Sequence, residues 1–188
     1  MDFIKVIKAI EFSAERHAGQ KRKGKKQTPY INHPVKVVSL LAEYGESDLE
    51  LLAAAALHDV IEDTAREKEE INKLSAIIEQ KFGNKVLNLV LEVSDDKSLP
   101  YQERKRLQII HTSSLSSSAK KLKIADKICN IQDLREDPPD EWPQSRKIKY
   151  IEWAEKVIKG ARGVNPGLEN YFDQIVKETL TLLNNNKI

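Results

Sequence analysis

The chain has 188 residues, 40% of them apolar and 32% charged, with a formal net charge of +2. Those proportions fit one water-soluble domain spanning residues 1–188, and the near-neutral balance gives no reason to expect a nucleic-acid partner. The single Cys129 excludes an internal disulfide framework. No apolar run approaches the ~18 residues of a membrane span, and the Met1-Asp2-Phe3-Ile4-Lys5 opening lacks the order of a secretory signal, so a cytoplasmic protein is expected.

In chain order the pattern is helical, with no convincing strand alternation. Residues 2–18 place apolar side chains at Phe3, Ile4, Ile7, Ile10, Phe12 and Ala14 and stop near Gly19. A loop over 20–32 carries a dense basic run, Lys21, Arg22, Lys23, Lys25 and Lys26. Pro34 suits the first turn of the next helix, which leaves His33 near its N-cap, and Gly45 closes that helix. Ser47 with Glu50 forms a capping box for a third helix, and Leu51 to Leu57 carries so little polar surface that this helix should be central. Helices follow over about 69–82, 84–93 and 100–112, a serine-rich loop over 113–118, and helices over about 119–134, 143–159 and 167–183. Pro138-Pro139 and the stretch 163–167 are the late breaks. The expected fold is therefore all-α and compact, with about eight to ten helices.

Within the third helix the run His58-Asp59-Val60-Ile61-Glu62-Asp63 crowds four metal-competent or proton-transferring side chains into six positions. At ~100° per residue they span an arc of roughly 140°, with Leu57, Val60 and Ile61 on the other side. Carboxylates this close repel one another unless a cation neutralises them. His33 and Asp126 are the candidates to complete such a site. Asp126 has Leu122, Ala125 and Cys129 as its helical neighbours, so an ionised carboxylate there needs a cation or donors. Taken alone, Asp126 would equally pair with Lys123 or Lys127 on a surface, and Glu62 and Asp63 would sit at a solvated helix end.

The order His33, His58-Asp59, Asp126 resembles the HD-domain metal-dependent phosphohydrolases. The likeness is closer to the hydrolase domain of the RelA/SpoT-type alarmone enzymes, and closest to the small stand-alone, metazoan-type hydrolases of that group. It is carried by Thr28-Pro-Tyr-Ile-Asn-His-Pro34, His58-Asp-Val-Ile-Glu-Asp-Thr64, Asp95-Asp-Lys-Ser-Leu99 with Glu103-Arg-Lys-Arg-Leu-Gln108, Ala125-Asp-Lys-Ile-Cys-Asn130 and the stretch from Tyr150 to Gly163.

The resemblance implies that His33, His58, Asp59 and Asp126 bind one divalent metal, Mn2+ in this group. Ligand type alone also permits Zn2+ or Fe2+. It implies hydrolysis of guanosine 3′,5′-bis(diphosphate) and its pentaphosphate relative, with pyrophosphate leaving the 3′ position. Glu62 and Asp63 would orient the attacking water or take its proton. Arg22, Lys23, Asn130, Arg146 and Tyr150 would contact the nucleotide, while Trp142 and Trp153 are expected to pack. Gly24 to Gln27 departs from the acidic or Gly-rich wording usual in that loop of the related enzymes. The long relatives append a synthetase domain, which is not expected in 188 residues. Two other readings stay open here: a phosphatase that removes the 2′-phosphate of NADPH, and an alarmone-binding sensor without turnover.

Overall fold

The computed structural model describes residues 3–185. Asp2, the expected start of the first helix, lies outside the described residues. Among the described residues there are ten α-helices: α1 (Phe3–Arg16), α2 (Asn32–Glu43), α3 (Leu49–Leu57), α4 (Val60–Thr64), α5 (Lys68–Phe82), α6 (Asn84–Val93), α7 (Tyr101–His111), α8 (Ser117–Glu136), α9 (Gln144–Lys159) and α10 (Pro166–Asn185). A short 3-10 turn, Thr112–Ser114, precedes α8. The only strand-like feature among these residues is an isolated antiparallel bridge between Lys21 and Pro29.

α3 is the wall shared by two apolar clusters. Leu51, Leu52 and Ala55 face a cluster built with α2, α8, α9 and α10. Ala53, Ala54, Ala56 and Leu57 face a second one built with α1, α5 and α6. Every residue from Leu51 to Leu57 is buried, and its four alanines let neighbouring helices approach closely, as helix packing distances depend on the side chains at the contact. α8 and α10 run against each other on the far side of the first cluster, with Phe172 fully enclosed. α7 buries no residue completely and lies on the outside of the molecule, against α9.

Several local expectations are corrected. The third helix is capped by Asp48, whose carboxylate accepts the Glu50 N–H at 3.0 Å, and not by Ser47. The helix therefore starts one residue later than a Ser47 cap would have it. Of the apolar residues of α1, Phe3, Ile4 and Ile7 are exposed, and the helix is held by Val6, Ala9 and Ser13 instead. The serine-rich stretch 113–118 is not wholly a loop, because Ser116 caps α8 through the Ala119 N–H and α8 begins at Ser117. Gly45 does close α2: at φ +85° it lets Glu46 N–H return to the Leu41 carbonyl at 3.0 Å.

Because Phe172 is enclosed and Ile7 is exposed, the two positions should respond very unequally to substitution. Phe172→Ala is expected to lower the unfolding free energy by about 3–5 kcal/mol and Ile7→Ser by no more than about 0.5 kcal/mol, as read by urea titration followed by far-ultraviolet circular dichroism.

Candidate active site

The His-Asp run does not sit inside one continuous helix. α3 ends at Leu57, α4 begins at Val60, and His58 and Asp59 form the junction with right-handed helical backbone angles. The His58 Nδ1–H donates to the Ala55 carbonyl at 2.8 Å, an acceptor that an unbroken helix would give to the Asp59 N–H. This bond fixes the ring and leaves Nε2 pointing away from the helix. The Asp63 N–H still reaches the Asp59 carbonyl at 2.8 Å, so Glu62 and Asp63 stay one turn on.

Three elements bring the expected ligands together. His33 lies within the first turn of α2, two residues after its N-cap Ile31, and Asp126 projects from the middle of α8. His33 Nε2 is 3.2 Å from Asp126 Oδ1 and 3.7 Å from Asp59 Oδ2. His58 Nε2 is 3.2 Å from Asp59 Oδ2 and 3.8 Å from Asp126 Oδ1. The four atoms make a closed ring in which nitrogen and oxygen alternate. Adjacent ligands around an octahedral ion with ~2.1 Å bonds are about 3.0 Å apart, so this ring is slightly wider than such an ion needs. Among the described residues, His33, His58 and Asp126 form the group whose ligand atoms all lie within 4.8 Å of one another.

His58 Nε2 supplies the test of fit. It is buried, flanked by two carboxylate oxygens, and aligned for a hydrogen bond with neither. Nε2 thus faces both carboxylates without a hydrogen-bond partner of its own. Two imidazoles and two carboxylates suit a divalent ion of intermediate hardness, so the residues fit a divalent metal.

Charge is balanced at close range. Burial alone would raise the Asp59 carboxyl, but His58 and then His33 hold it below the usual carboxylate range. Burial likewise opposes ionisation of Asp126, and Lys127, His33 and His58 outweigh it. The Lys127 ammonium lies 2.7 Å from Asp126 Oδ2 and is itself buried. The pairing of Asp126 with Lys127 is therefore an interior feature, not the surface arrangement that the sequence alone allowed. Burial lowers His33, whereas His58 is raised to about 9, because Asp59 and Asp126 overcome its burial.

Glu62 and Asp63 line the same cavity of about 160 Å³. Glu62 Oε2 accepts the Asp95 N–H at 2.9 Å, and Lys97 Nζ bridges Glu62 Oε1 at 3.1 Å and Asp63 Oδ1 at 2.9 Å. Burial, with Asp59 and Asp95 nearby, makes Glu62 more basic than an ordinary glutamate. The Tyr30 hydroxyl lies 2.8 Å from Asp59 Oδ2 and 2.6 Å from Asp63 Oδ2, so one proton is shared between two carboxylates.

The cavity opens into a cleft of about 480 Å³, reached past Arg22, Tyr30, Asp63, Gln108 and Asn130. Its rim holds Lys23, Lys105, Arg146, Tyr150, Trp142 and Trp153. Arg22 is turned inward: it bonds Asn130 Oδ1 at 2.7 Å and Asp133 Oδ2 at 3.0 Å and lies over the Tyr30 ring. Asn130 Nδ2 in turn donates to Asp126 Oδ1 at 2.6 Å. Lys23 is exposed on the loop, and Arg146 stacks on Trp142 with 4.3 Å between the guanidinium carbon and the ring centre. Tyr150, its hydroxyl pushed up to about 12 by burial, sits between the Trp142 and Trp153 rings. The two tryptophans pack on the core as expected, but they also wall the cleft, which the sequence did not indicate. Tyr30, Lys97, Gln108 and Lys127 were also missed as members of the site. All four stand inside motifs that carried the family likeness, and only their placement gives them a task.

A family model described as "HD domain" matches residues 9–151. Guanosine-3′,5′-bis(diphosphate) 3′-pyrophosphohydrolase MESH1 of Xenopus tropicalis is 45% identical over 171 residues, covering 90% of this chain and 92% of that protein. The human protein of the same name is 42% identical, covering 92% and 93%. The bifunctional (p)ppGpp synthase/hydrolase SpoT of Escherichia coli is 35% identical over 132 residues, 67% of this chain and 17% of that protein. A solved structure described as a metazoan ortholog of SpoT that hydrolyzes ppGpp superposes with a TM-score of 0.85 at 41% identity, over 93% of this chain and 94% of that one. The chain belongs to the HD-domain family, in its MESH1-like branch.

Proposed function

We propose that this chain is a metal-dependent hydrolase of guanosine 3′,5′-bis(diphosphate) and its pentaphosphate relative that releases pyrophosphate from the 3′ position. The observation that carries this reading is the ring of His33, His58, Asp59 and Asp126 beneath a cleft whose rim is basic and aromatic. The relatives named for this activity extend over nearly the whole chain, and the reading treats residues 1–188 as one hydrolase domain.

In this reading the four ring residues hold one Mn2+. When bound, such an ion polarises a phosphoryl oxygen and lowers the pKa of water. The remaining steps belong to side chains. Glu62, made more basic by burial, accepts the proton of the attacking water. Asp63, held by Tyr30 and Lys97, orients that water. Asn130, fixed between Arg22 and Asp126, faces the sugar and phosphate. Lys23, Lys105 and Arg146 neutralise the diphosphates, and Tyr150 with the two tryptophans receives the base. A sensor that only binds nucleotide has no need of Glu62 and Asp63 beside a complete ligand ring, and this supports the enzyme reading.

Purified protein with Mn2+ is expected to release pyrophosphate from guanosine 3′,5′-bis(diphosphate), and to lose the activity on chelation or in Asp59→Ala. Tight binding without turnover would overturn the hydrolase reading. NADPH and deoxynucleoside triphosphates assayed in parallel decide the substrate, with phosphate release from NADPH favouring the phosphatase alternative.

Tyr30→Phe removes the donor shared by Asp59 and Asp63 while leaving the ring stacked on His17. Loss of such an outer hydrogen bond is expected to cost about 10–100-fold in metal affinity or kcat, measured by Mn2+ titration and initial rates.

The proton on His58 and the metal compete for one nitrogen. With His58 raised to about 9, apparent Mn2+ affinity should strengthen by roughly tenfold per pH unit from pH 7 towards 9 and level off above. Calorimetry in buffers of different ionisation enthalpy should show about one proton released per ion near neutral pH. A flat affinity across this range would show that His58 does not take part.

A further inference from the structure

The tip of the basic loop is fastened to the far end of α8. Gln27 N–H returns to the Gly24 carbonyl at 3.1 Å, with Gln27 itself at φ +46°, so residues 24–27 form a tight turn. Arg22 N–H bonds the Thr28 carbonyl at 2.9 Å and closes the loop behind it. The outward side of this turn meets Asp137, the residue that ends α8. Lys26 N–H lies 3.1 Å and 3.3 Å from the two Asp137 carboxylate oxygens. Gly24 is seated so closely on Asp137 that an added Cβ would overlap both its carboxylate and its carbonyl. Lys25 Nζ is 2.7 Å from Asp140 Oδ1, but both side chains are well exposed, so this pair adds little. One turn earlier on α8, Asp133 holds Arg22 and Lys36.

The last turns of α8 therefore hold the loop at two levels, at its base through Arg22 and at its tip through Asp137. The loop and the segment carrying Asp137, Pro139 and Trp142 both belong to the cleft lining and meet at Asp137.

We propose that Asp137 is a positioning residue that fastens the basic loop across the mouth of the cleft, and that this fastening sets the affinity for the polyphosphorylated nucleotide. The affinity half of this statement rests on the nucleotide reading above. The fastening half rests on the hydrogen bond and the glycine contact alone.

The five basic residues between Lys21 and Lys26 make trypsin a direct probe of loop release. Asp137→Ala removes the acceptor, and Gly24→Ala pushes the turn off Asp137 from the other side. Both variants are expected to be nicked within the loop about tenfold faster than the parent, with KM raised about tenfold and kcat within about twofold, the size expected for losing a hydrogen bond to a charged group. Asp137→Asn keeps a side-chain oxygen to accept the Lys26 N–H and should stay near the parent in both measures. Unchanged nicking in Asp137→Ala, a fall in kcat with KM unaltered, or Asp137→Asn behaving like Asp137→Ala would each overturn the proposal. Guanosine 3′,5′-bis(diphosphate) should also protect the parent loop from trypsin at concentrations near KM. Absence of protection at any concentration would sink the nucleotide reading, while the relative nicking rates alone would still decide the fastening.

Discussion

Two carboxylates, Asp59 and Asp126, lie mostly buried where α2, the α3–α4 junction and α8 meet, and the placement of the other charged groups around the site answers to them. An ionised carboxylate removed from water is costly unless cations or donors surround it. Here the compensation comes from every side: His33 and His58 from within the ring, Lys127 from α8 behind Asp126, and Tyr30 from the loop above Asp59. Three of these groups are fixed by a second contact: Tyr30 also binds Asp63, His58 also binds Ala55, and Lys127 lies over the Trp153 ring, while Asn130 connects Asp126 to Arg22. Removal of one member would leave a buried charge or donor unanswered, which is why the site behaves as a unit and not as a set of independent ligands.

The remainder of the site is built differently. The metal-competent half is drawn from α2, the α3–α4 junction and α8, whereas the cleft above it adds α7, α9 and two loops to the last turns of α8. α7 has no fully buried residue, and its Lys105 reaches the cleft beside Trp153, 4.3 Å from the ring centre. Chemistry is thus placed on the rigid part of the molecule and recognition on the part with fewer packing constraints. Such a division lets recognition vary while the reacting centre stays fixed.

Most of the helix pattern was legible in the sequence because glycine, proline and apolar spacing punctuate it clearly. α5 and α6 are separated at Gly83, and α2 ends before Gly45, as expected. The identity of the ring residues was legible through the resemblance, because His33, His58-Asp59 and Asp126 fall in motifs of unusual composition. The break between α3 and α4 was not, since it depends on a side chain taking a backbone acceptor, and Ala55 gives no hint of that. Nor was the exposure of Phe3, Ile4 and Ile7, because periodicity marks an apolar face without showing whether anything covers it. Lys127 read as half of a surface pair because a charged residue next to another charged residue carries no information about depth. Trp142 and Trp153 read as packing residues because an aromatic ring can serve a core and a cleft at once.

The alanine run of α3 has a consequence for how this protein can change over time. Ala53 to Ala56 are each without exposed surface, and the helix they build leads directly into His58 and Asp59. A larger side chain at any of them has to displace a neighbouring helix, and the displacement would be passed down the helix axis to the ring. Sequence drift is therefore permitted in proportion to separation from α3. It is narrow along that helix and wider on α7, which has no fully buried residue.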